Sequence, residues 1–273
     1  MRFIRIILFL AAALFCGCSG KSKTLPTYEV GIDPSWYPLQ LAGQEKNILA
    51  FSIELLTTIA KQENLALAVQ RMNWDSLLWG LKEHKYNGVL SSMRPYTFYE
   101  KRFSFSDLYL HTGPVLIIPK KAKIISLDQL KGKEVAVVRG SSAALLLQMT
   151  PGVILQGYDT IPSALEALAL QDVDAAALEI LIAQNYVRNL YGDTMKMVGL
   201  PLNNEGLRLV SLFNESPELM KRFNKGLESL KKSGQYEKLL QKWGLSPDGE
   251  PIANLDHEIN LLLKGNTFYQ SSF

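Results

Sequence analysis

Strand-like and helix-like segments alternate along most of this sequence, and the pattern runs through twice. Between residues 28 and 91, short apolar stretches suited to strands are separated by stretches with apolar residues at helical spacing. The same alternation of strand-like and helix-like stretches starts again near Val115 and continues through the following part of the chain. Strands that alternate with helices predict an α/β architecture with parallel strands. The span from residue 25 to residue 245 is long enough for one large domain or two ordinary ones.

The pattern predicts the individual elements. The predicted strands are 28–32, 66–70, 88–91, 115–118, 134–138, 153–158, 175–178, 195–199 and 207–212. The predicted helices are 51–62, 74–85, a capped turn at 126–130, one ending at 149, 161–170, 181–190, 217–234 and 236–243. Polar side chains follow several predicted strands, namely Asp33, Ser91, Ser92, Arg139, Ser141, Ser142 and Glu179. Open α/β sheets bind ligands at the carboxyl ends of their strands, so a cleft between two sheets is the expected site.

The amino-terminal segment predicts secretion. Arg2 and Arg5 precede an apolar run at 6–15 that is about half the ~20 residues of a membrane span. The following Phe15-Cys16-Gly17-Cys18 resembles a bacterial lipobox, with Cys18 as the lipidated residue. We therefore expect a signal peptide at 1–17 and a lipid-anchored tether at 18–27, on an extracytoplasmic or periplasmic protein. An ordinary signal peptide with incidental cysteines is the alternative.

Composition excludes several kinds of site. Both cysteines lie in this leader, so the mature domain is expected to have no disulfide, cysteine nucleophile or cysteine metal site. The net charge is only +3 and the basic residues are dispersed, which argues against nucleic acid as a partner. Three histidines without paired spacing argue against zinc. We expect neither metal nor cofactor.

Short sequence fragments in a fixed order carry a resemblance to a known family. The fragments are 30–33, 74–77, 88–93, 105–109, 127–137, 173–176 and 239–245. With this order and spacing, the span from Tyr28 to Leu245 resembles the bacterial extracellular solute-binding proteins of family 3, the polar amino-acid class. The resemblance implies a monomer that passes a free amino acid to an ABC permease of the inner membrane. Arginine, lysine, glutamine and cystine all stay open as ligands.

The resemblance also implies the fold and its boundaries. The family has a two-lobed periplasmic-binding-protein fold of type II, in which each lobe is a mixed, mostly parallel sheet flanked by helices. Two hinge strands join the lobes, which close on the ligand. Here lobe 1 would comprise 28–116 and 207–245, lobe 2 would comprise 117–206, and 246–273 would form a carboxyl-terminal tail. The hinges would lie near Ile117–Pro119 and Asn203–Gly206.

A buried amino acid needs partners for both of its charges. By the resemblance, Glu179 would bind the ammonium, although a glutamate at a helix start is also favoured by the helix dipole. The family places an arginine for the carboxylate where this sequence has Tyr99. Arg94, five residues earlier, is the candidate replacement, because its planar fork suits a carboxylate, with a position on the lobe surface as the alternative. Ser141 and Ser142 would add donors.

Other residues are assigned to the walls and the side-chain end of the site. Arg139 would support the carboxylate, with a solvated position on the surface as an equal alternative. Ser91 and Ser92 would contact the ammonium side. Trp36 and Trp74 would sandwich the ligand side chain, with core packing as the alternative.

Asp33 would attract a cationic side chain or accept from an amide, with formation of a local turn as the alternative. None of these residues is assigned a catalytic role. Two other kinds of protein use related folds: an enzyme such as a dehydratase, with Glu179 as the acid or base, and a ligand-sensing binding protein.

Overall fold

The computed structural model describes residues 25–39, 41, 43–124, 126–246 and 255–268, with the last six as backbone only. The predicted signal peptide, Cys18 and most of the predicted tether therefore lie outside the described residues. Within the described part of the chain, no helix combines the length and the apolar character needed to cross a bilayer.

Two separate sheets organise the chain. Along the described residues the strands are β1 (Thr27–Ile32), β2 (Ala66–Arg71), β3 (Gly88–Ser91), β4 (Phe103–Phe105), β5 (Leu110–His111), β6 (Pro114–Pro119), β7 (Glu134–Val138), β8 (Ile154–Tyr158), β9 (Ala175–Glu179), β10 (Met195–Val198) and β11 (Gly206–Leu212). The first sheet has the order β2-β1-β3-β11-β4, with β5 paired to β11. The second has the order β10-β6-β9-β7-β8. The fold is the predicted two-lobed one, with one sheet in each lobe.

Parallel pairing is confined to three strands of each sheet. Strand β1 runs parallel to β2 and β3, and strand β7 runs parallel to β8 and β9. The remaining pairings, through β11 and β6, are antiparallel. The reason is that β6 and β11 are the strands by which the chain enters and leaves the second lobe, and neither is reached through a helical crossover.

Helices cover both faces of the sheets. In chain order along the described residues they are α1 (Glu45–Gln62), α2 (Trp74–Lys82), α3 (Thr97–Glu100), α4 (Ser142–Gln148), α5 (Ile161–Leu170), α6 (Ile180–Tyr186), α7 (Pro217–Lys232), α8 (Gln235–Lys242) and α9 (Leu255–Phe268). A 3-10 turn spans Leu127–Leu130, and a π-helical turn Val187–Tyr191 follows α6. Helix α1 begins six residues before its predicted start, because Ile48 and Leu49 extend its buried face.

The two-residue period of the strands builds a core on each side of both sheets. In the first sheet, Leu90 packs in the core beneath α1 and α7, while its neighbour Val89 packs with α2 on the other face. In the second sheet, Val115 and Leu116 divide in the same way. Because successive strand residues point to opposite faces, such continuous apolar strands are buried on both sides.

Two neighbouring segments connect the lobes. The first is Thr112–Gly113, between β5 and β6, and the second is 199–205, between β10 and β11. The predicted hinge at Ile117–Pro119 is wrong, because those residues belong to β6 of the second sheet and pair there with its edge strand β10. For the same reason, the lobe boundary predicted between residues 116 and 117 falls a few residues late. The second predicted hinge overlaps the second connection.

Helix α9 lies beyond the predicted lobe 1 and docks on it. It packs against α1 and β2, with Ile259 only 6% exposed. Lys46 and Asp256 form an ion pair of 2.8 Å at its start. The strand that it contacts, β2, is an edge strand of the first sheet.

Candidate functional site

A cavity of about 280 Å³ lies between the lobes, next to the two connecting segments. Both lobes and both connections contribute to its walls. The lining residues are Pro38, Leu39, Leu41, Arg94, Thr112, Val138, Gly140, Ser141, Ser142, Ile161, Glu179, Leu181, Ile182 and Glu205. The mixture of apolar walls and a few polar groups is typical of sites for small molecules.

Glu179 stands where β9 ends and α6 begins, so its carboxylate reaches the cavity from the second lobe. Its Oε1 accepts a hydrogen bond of 3.0 Å from Ser142 Oγ. The strand pairs Glu179 with Pro114 of β6, and the amide of Ile180 donates to Gly113 O at 3.0 Å. The buried strand thereby fixes this carboxylate directly beside the first connection.

Ser141 and Ser142 form the start of α4 on the same wall. Gly140 has a φ of +76° and turns the chain from β7 into the helix. Ser141 then caps α4, because its Oγ accepts from the amide of Ala144 at 3.1 Å. The Ser141 hydroxyl oxygen is therefore used within the helix, while Ser142 is the hydroxyl that orients Glu179.

Arg94 enters the cavity from the loop after β3 and already has a partner there. Its Nη2 is 2.7 Å from Glu205 Oε1, and its Nη1 donates to Tyr96 Oη at 3.2 Å. The same Glu205 oxygen accepts from Asn203 Nδ2 at 2.6 Å. The guanidinium thus bridges lobe 1 and the second connection. It faces the cavity together with a carboxylate that partly neutralises it.

The two connections hold each other by backbone contacts. The amide of Thr112 donates to Glu205 O at 3.1 Å. Gly113 has no room for a side chain, because a Cβ there would collide with Asn203 Oδ1. Thr112 Oγ1 is buried at the cavity and has no hydrogen-bond partner among the described residues. The floor of the cavity is therefore made of two closely apposed chain segments.

A second cavity of about 340 Å³ adjoins the first on the lobe 1 side. The two share Pro38 and Arg94. The other lining residues are Trp74, Leu78, Lys82, Ser92, Met93, Tyr99, Arg102 and Phe103. Three predicted site residues, Trp74, Ser92 and Tyr99, thus meet here, next to the group formed by Arg94, Ser141, Ser142 and Glu179.

Trp36 and Arg139 do not line either cavity. Trp36 is 3% exposed in the core of lobe 1, and its Nε1 donates to Glu45 O at 3.1 Å. Trp36 therefore packs in the core, which was the alternative to contact with the ligand side chain. Arg139 leaves the turn before α4 toward solvent and forms an ion pair with Asp159 on the surface of lobe 2.

Asp33 and Ser91 are buried beneath the cleft and do not line these cavities. Asp33 is 4% exposed, and its Oδ1 accepts from the amide and hydroxyl of Ser35 at 2.9 and 2.7 Å. This is the local turn that was the alternative for Asp33. Its Oδ2 is buried without a hydrogen-bond partner among the described residues. Ser91 Oγ accepts from the amide of Met93 at 3.0 Å and so shapes the loop that carries Arg94.

Sequence reasoning did not find Thr112 and Glu205. Both belong to the lobe connections, and only the pairing of β5 with β11 brings these segments together. The sequence offers one signal for Glu205, namely an acidic residue next to Gly206 in the polar run Asn203-Asn204-Glu205. In the sequence-based interpretation, this run is a hinge without a ligand role.

The family model of bacterial extracellular solute-binding proteins, family 3, matches residues 28–246. The chain belongs to this family. The match begins one residue into β1 and ends eight residues short of α9, so the family span contains both lobes and the cleft. The family is one of solute-binding proteins, and an interlobe cavity is the feature that such a protein needs.

Similar proteins agree with the family assignment. The arginine-binding extracellular protein ArtP of Bacillus subtilis (strain 168) is 29% identical, covering 82% of this chain and 87% of its own. The L-cystine-binding protein TcyJ of Escherichia coli (strain K12) is 26% identical, covering 86% of this chain and 92% of its own.

Among solved structures, the L-cystine solute receptor of Neisseria gonorrhoeae in the unliganded open conformation has the same fold. The TM-score is 0.61 at 19% identity, and the match covers 83% of this chain and 95% of that one. At this identity the likeness concerns the fold alone.

Proposed function

We propose that this protein binds a free amino acid in the interlobe cavity and delivers it to an ABC importer. The observation that carries the proposal is the set of charges around one cavity of about 280 Å³: Glu179 on one lobe and Arg94 on the other. An amino acid carries an ammonium and a carboxylate, and each costs free energy when buried unless it is paired.

Each end of the ligand has a suitable partner. Glu179, oriented by Ser142, is the ammonium partner. Arg94 is the carboxylate partner, since its guanidinium keeps further donors beyond those used by Glu205 and Tyr96. The names of similar proteins support an amino acid as the ligand, because they describe binding of arginine and of cystine. The family and these relatives are binding proteins, which favours transport over the enzyme alternative.

Hinge closure is the proposed motion. The two connections lie side by side, so a change in a few backbone dihedrals there would rotate one lobe against the other. Closure would bring Glu179, Ser141 and Ser142 toward Arg94 and exclude water from the charged groups.

The test is calorimetric titration of the mature chain with all standard amino acids, ornithine, citrulline and cystine. At least one ligand should bind with micromolar affinity or better. The Glu179→Gln variant should weaken that ligand by about tenfold to a hundredfold, since a hydrogen bond to a charged group contributes about 1.5–3 kcal/mol. The exposed Glu166→Gln variant on α5 is the matched control and should bind as the unmodified chain does. No binding by any amino acid would contradict the proposal.

We further propose that the protein is a monomer held at the extracytoplasmic face of the membrane by lipid on Cys18. The support is the apolar run 6–15 followed by Cys16-Gly17-Cys18 and by the polar segment that precedes β1. Mass spectrometry of the amino-terminal peptide from membranes should show a diacylated Cys18. A peptide without lipid would contradict the anchor and leave the binding function untouched.

A further inference from the structure

Glu205 gives the cavity a second carboxylate, which changes its charge balance. Among the described lining residues, the ionisable side chains are Arg94, Glu179 and Glu205. The lining therefore carries one more negative charge than positive. An amino acid with a neutral side chain has no net charge and leaves this excess in place on closure. An amino acid with a cationic side chain cancels it, and an uncompensated buried charge is strongly disfavoured.

The position of Glu205 suits a cation-binding role. Its side chain is only 12% exposed, and its Oε1 already accepts from Arg94 and Asn203. A carboxylate has two oxygens and about four acceptor positions, so these two hydrogen bonds leave acceptor capacity for a ligand. Asn203 also holds the backbone of Glu205, because its Oδ1 accepts from the Glu205 amide at 3.1 Å. The group is held in place before any ligand arrives.

Thr112 is a second and independent indication of a ligand group at this place. Its Oγ1 is buried, lines the same cavity and has no hydrogen-bond partner among the described residues. A buried hydroxyl without a partner costs about 1–3 kcal/mol, so such groups are rare unless something binds them. The backbone bond between Thr112 and Glu205 puts the two residues side by side. A hydroxyl oxygen and a carboxylate together are acceptors for the N–H groups of a cation.

The neighbouring cations do not remove the excess. Lys82 and Arg102 line the adjoining cavity on lobe 1, but both side chains are exposed. Solvent screens such charges, whereas Glu205 is largely covered. Both cations line that cavity together with Trp74 and Tyr99, and neither Thr112 nor Glu205 is among its lining residues.

We propose that Thr112 and Glu205 on the two lobe connections form a second cation subsite, so that the cleft selects an amino acid with a positively charged side chain. In this arrangement Glu179 binds the α-ammonium, Arg94 binds the carboxylate, and the floor binds the side-chain cation. The inference rests on the proposed function and names the ligand class of the same site.

The test compares L-arginine with L-citrulline, which has nearly the same shape but an uncharged ureido group. Titration of the mature chain by calorimetry should give at least tenfold tighter binding of arginine. In Glu205→Gln, arginine affinity should fall about tenfold to a hundredfold while citrulline affinity changes by less than threefold, so that the preference is lost. The exposed Glu166→Gln makes the same charge change elsewhere and should keep the preference.

A role of Glu205 in positioning Arg94 alone predicts a different result. Both ligands have the same α-carboxylate, so a misplaced Arg94 would weaken arginine and citrulline equally, and equal losses would overturn the inference. Should Glu205→Gln fail to fold, Thr112→Val decides the question. That variant removes only an unpartnered hydroxyl, so it should melt no lower than the unmodified chain but lose arginine preference several-fold. An unchanged preference in Thr112→Val would then overturn the inference.

Binding by the unmodified chain distinguishes failure of the cation subsite from failure of the proposed function. Binding of another amino acid with no preference for arginine over citrulline would contradict the cation subsite and leave the proposed function standing. Absence of binding by every amino acid would contradict both.

Discussion

Residues of the same chemical type occupy very different environments in this protein. Trp36 follows β1 and Trp74 begins α2, and both stand near predicted strand ends. Trp36 is buried in the lobe 1 core, while Trp74 lines a cavity next to the cleft. The acidic residues also differ: Glu179 and Glu205 face the cleft, whereas the Asp33 carboxylate accepts a hydrogen bond from Ser35. Local sequence gives each side chain its chemistry, whereas the direction in which it points depends on the packing around it.

His111 allows a prediction at this scale. It lies on β5 immediately before the first connection, and its Nδ1 is buried without a hydrogen-bond partner among the described residues. Burial, and then the positive charges of Lys231 and Arg208, lower the pKa of His111 below its usual value of 6.5. Between this lowered pKa and pH 6.5, the unfolded chain therefore binds a proton at His111 that the folded chain does not.

The stability that neutral His111 contributes is thus complete above about pH 6.5 and declines as the pH falls toward the lowered pKa of the folded state. Thermal melting of the unmodified chain should drop more steeply between pH 7.5 and pH 5 than melting of His111→Gln. Parallel curves for the two proteins would show that His111 does not carry this dependence.

At the scale of elements, α9 is the clearest addition to the family span, since the family match ends at residue 246. The helix packs on α1 and on the edge strand β2. Its amphipathic character is visible in Ile259, 6% exposed, and Leu261, 50% exposed. The contact converts an exposed face of lobe 1 into core.

The two residues provide a matched pair of variants. Ile259→Ala should lower the free energy of unfolding by about 2 kcal/mol or more, because it removes buried methylene groups and leaves a cavity. Leu261→Ala should change it by less than about 0.5 kcal/mol, as exposed positions generally do. Urea denaturation followed by circular dichroism measures both. Equal effects would mean that α9 does not dock through Ile259.

At the scale of the whole molecule, the cavity exists because two sheets are joined by two adjacent segments. Thr112 and Glu205 contribute to the floor only since β5 and β11 are neighbours, and Gly113 permits the close approach of the connections. In the proposed function, binding of a ligand charge at Thr112 and Glu205 would take place at the same segments about which the lobes rotate.

The predicted consequence is a change of shape on binding. Small-angle X-ray scattering should show a smaller radius of gyration when a binding amino acid is added, because closure brings the lobes together. Glu179→Gln at the same ligand concentration is the control and should contract much less, since it binds weakly. An unchanged radius of gyration in a protein saturated with ligand would contradict hinge closure.

The sequence by itself determined the α/β class, most strands and helices, and the family. These follow from local signals: a two-residue period in strands, a helical period in helices, and short fragments in a fixed order. The positions of Glu179 and Ser142 at the cavity could also be anticipated, because the carboxyl end of a buried strand marks a ligand position in such sheets. Arg94 was reached only through the family resemblance, as a substitute for an arginine where this sequence has Tyr99.

Only the tertiary structure decided which polar groups face the cleft and which are used elsewhere. It buried Trp36, paired Arg139 with Asp159, placed the first lobe connection at Thr112–Gly113, and brought Glu205 to Arg94. The physical reason is that these outcomes depend on contacts between residues that are not neighbours in the sequence, from Arg139 with Asp159 on one lobe to Arg94 with Glu205 between lobe 1 and a lobe connection. A local pattern carries no record of such contacts, because they form only when the segments that carry them have folded together.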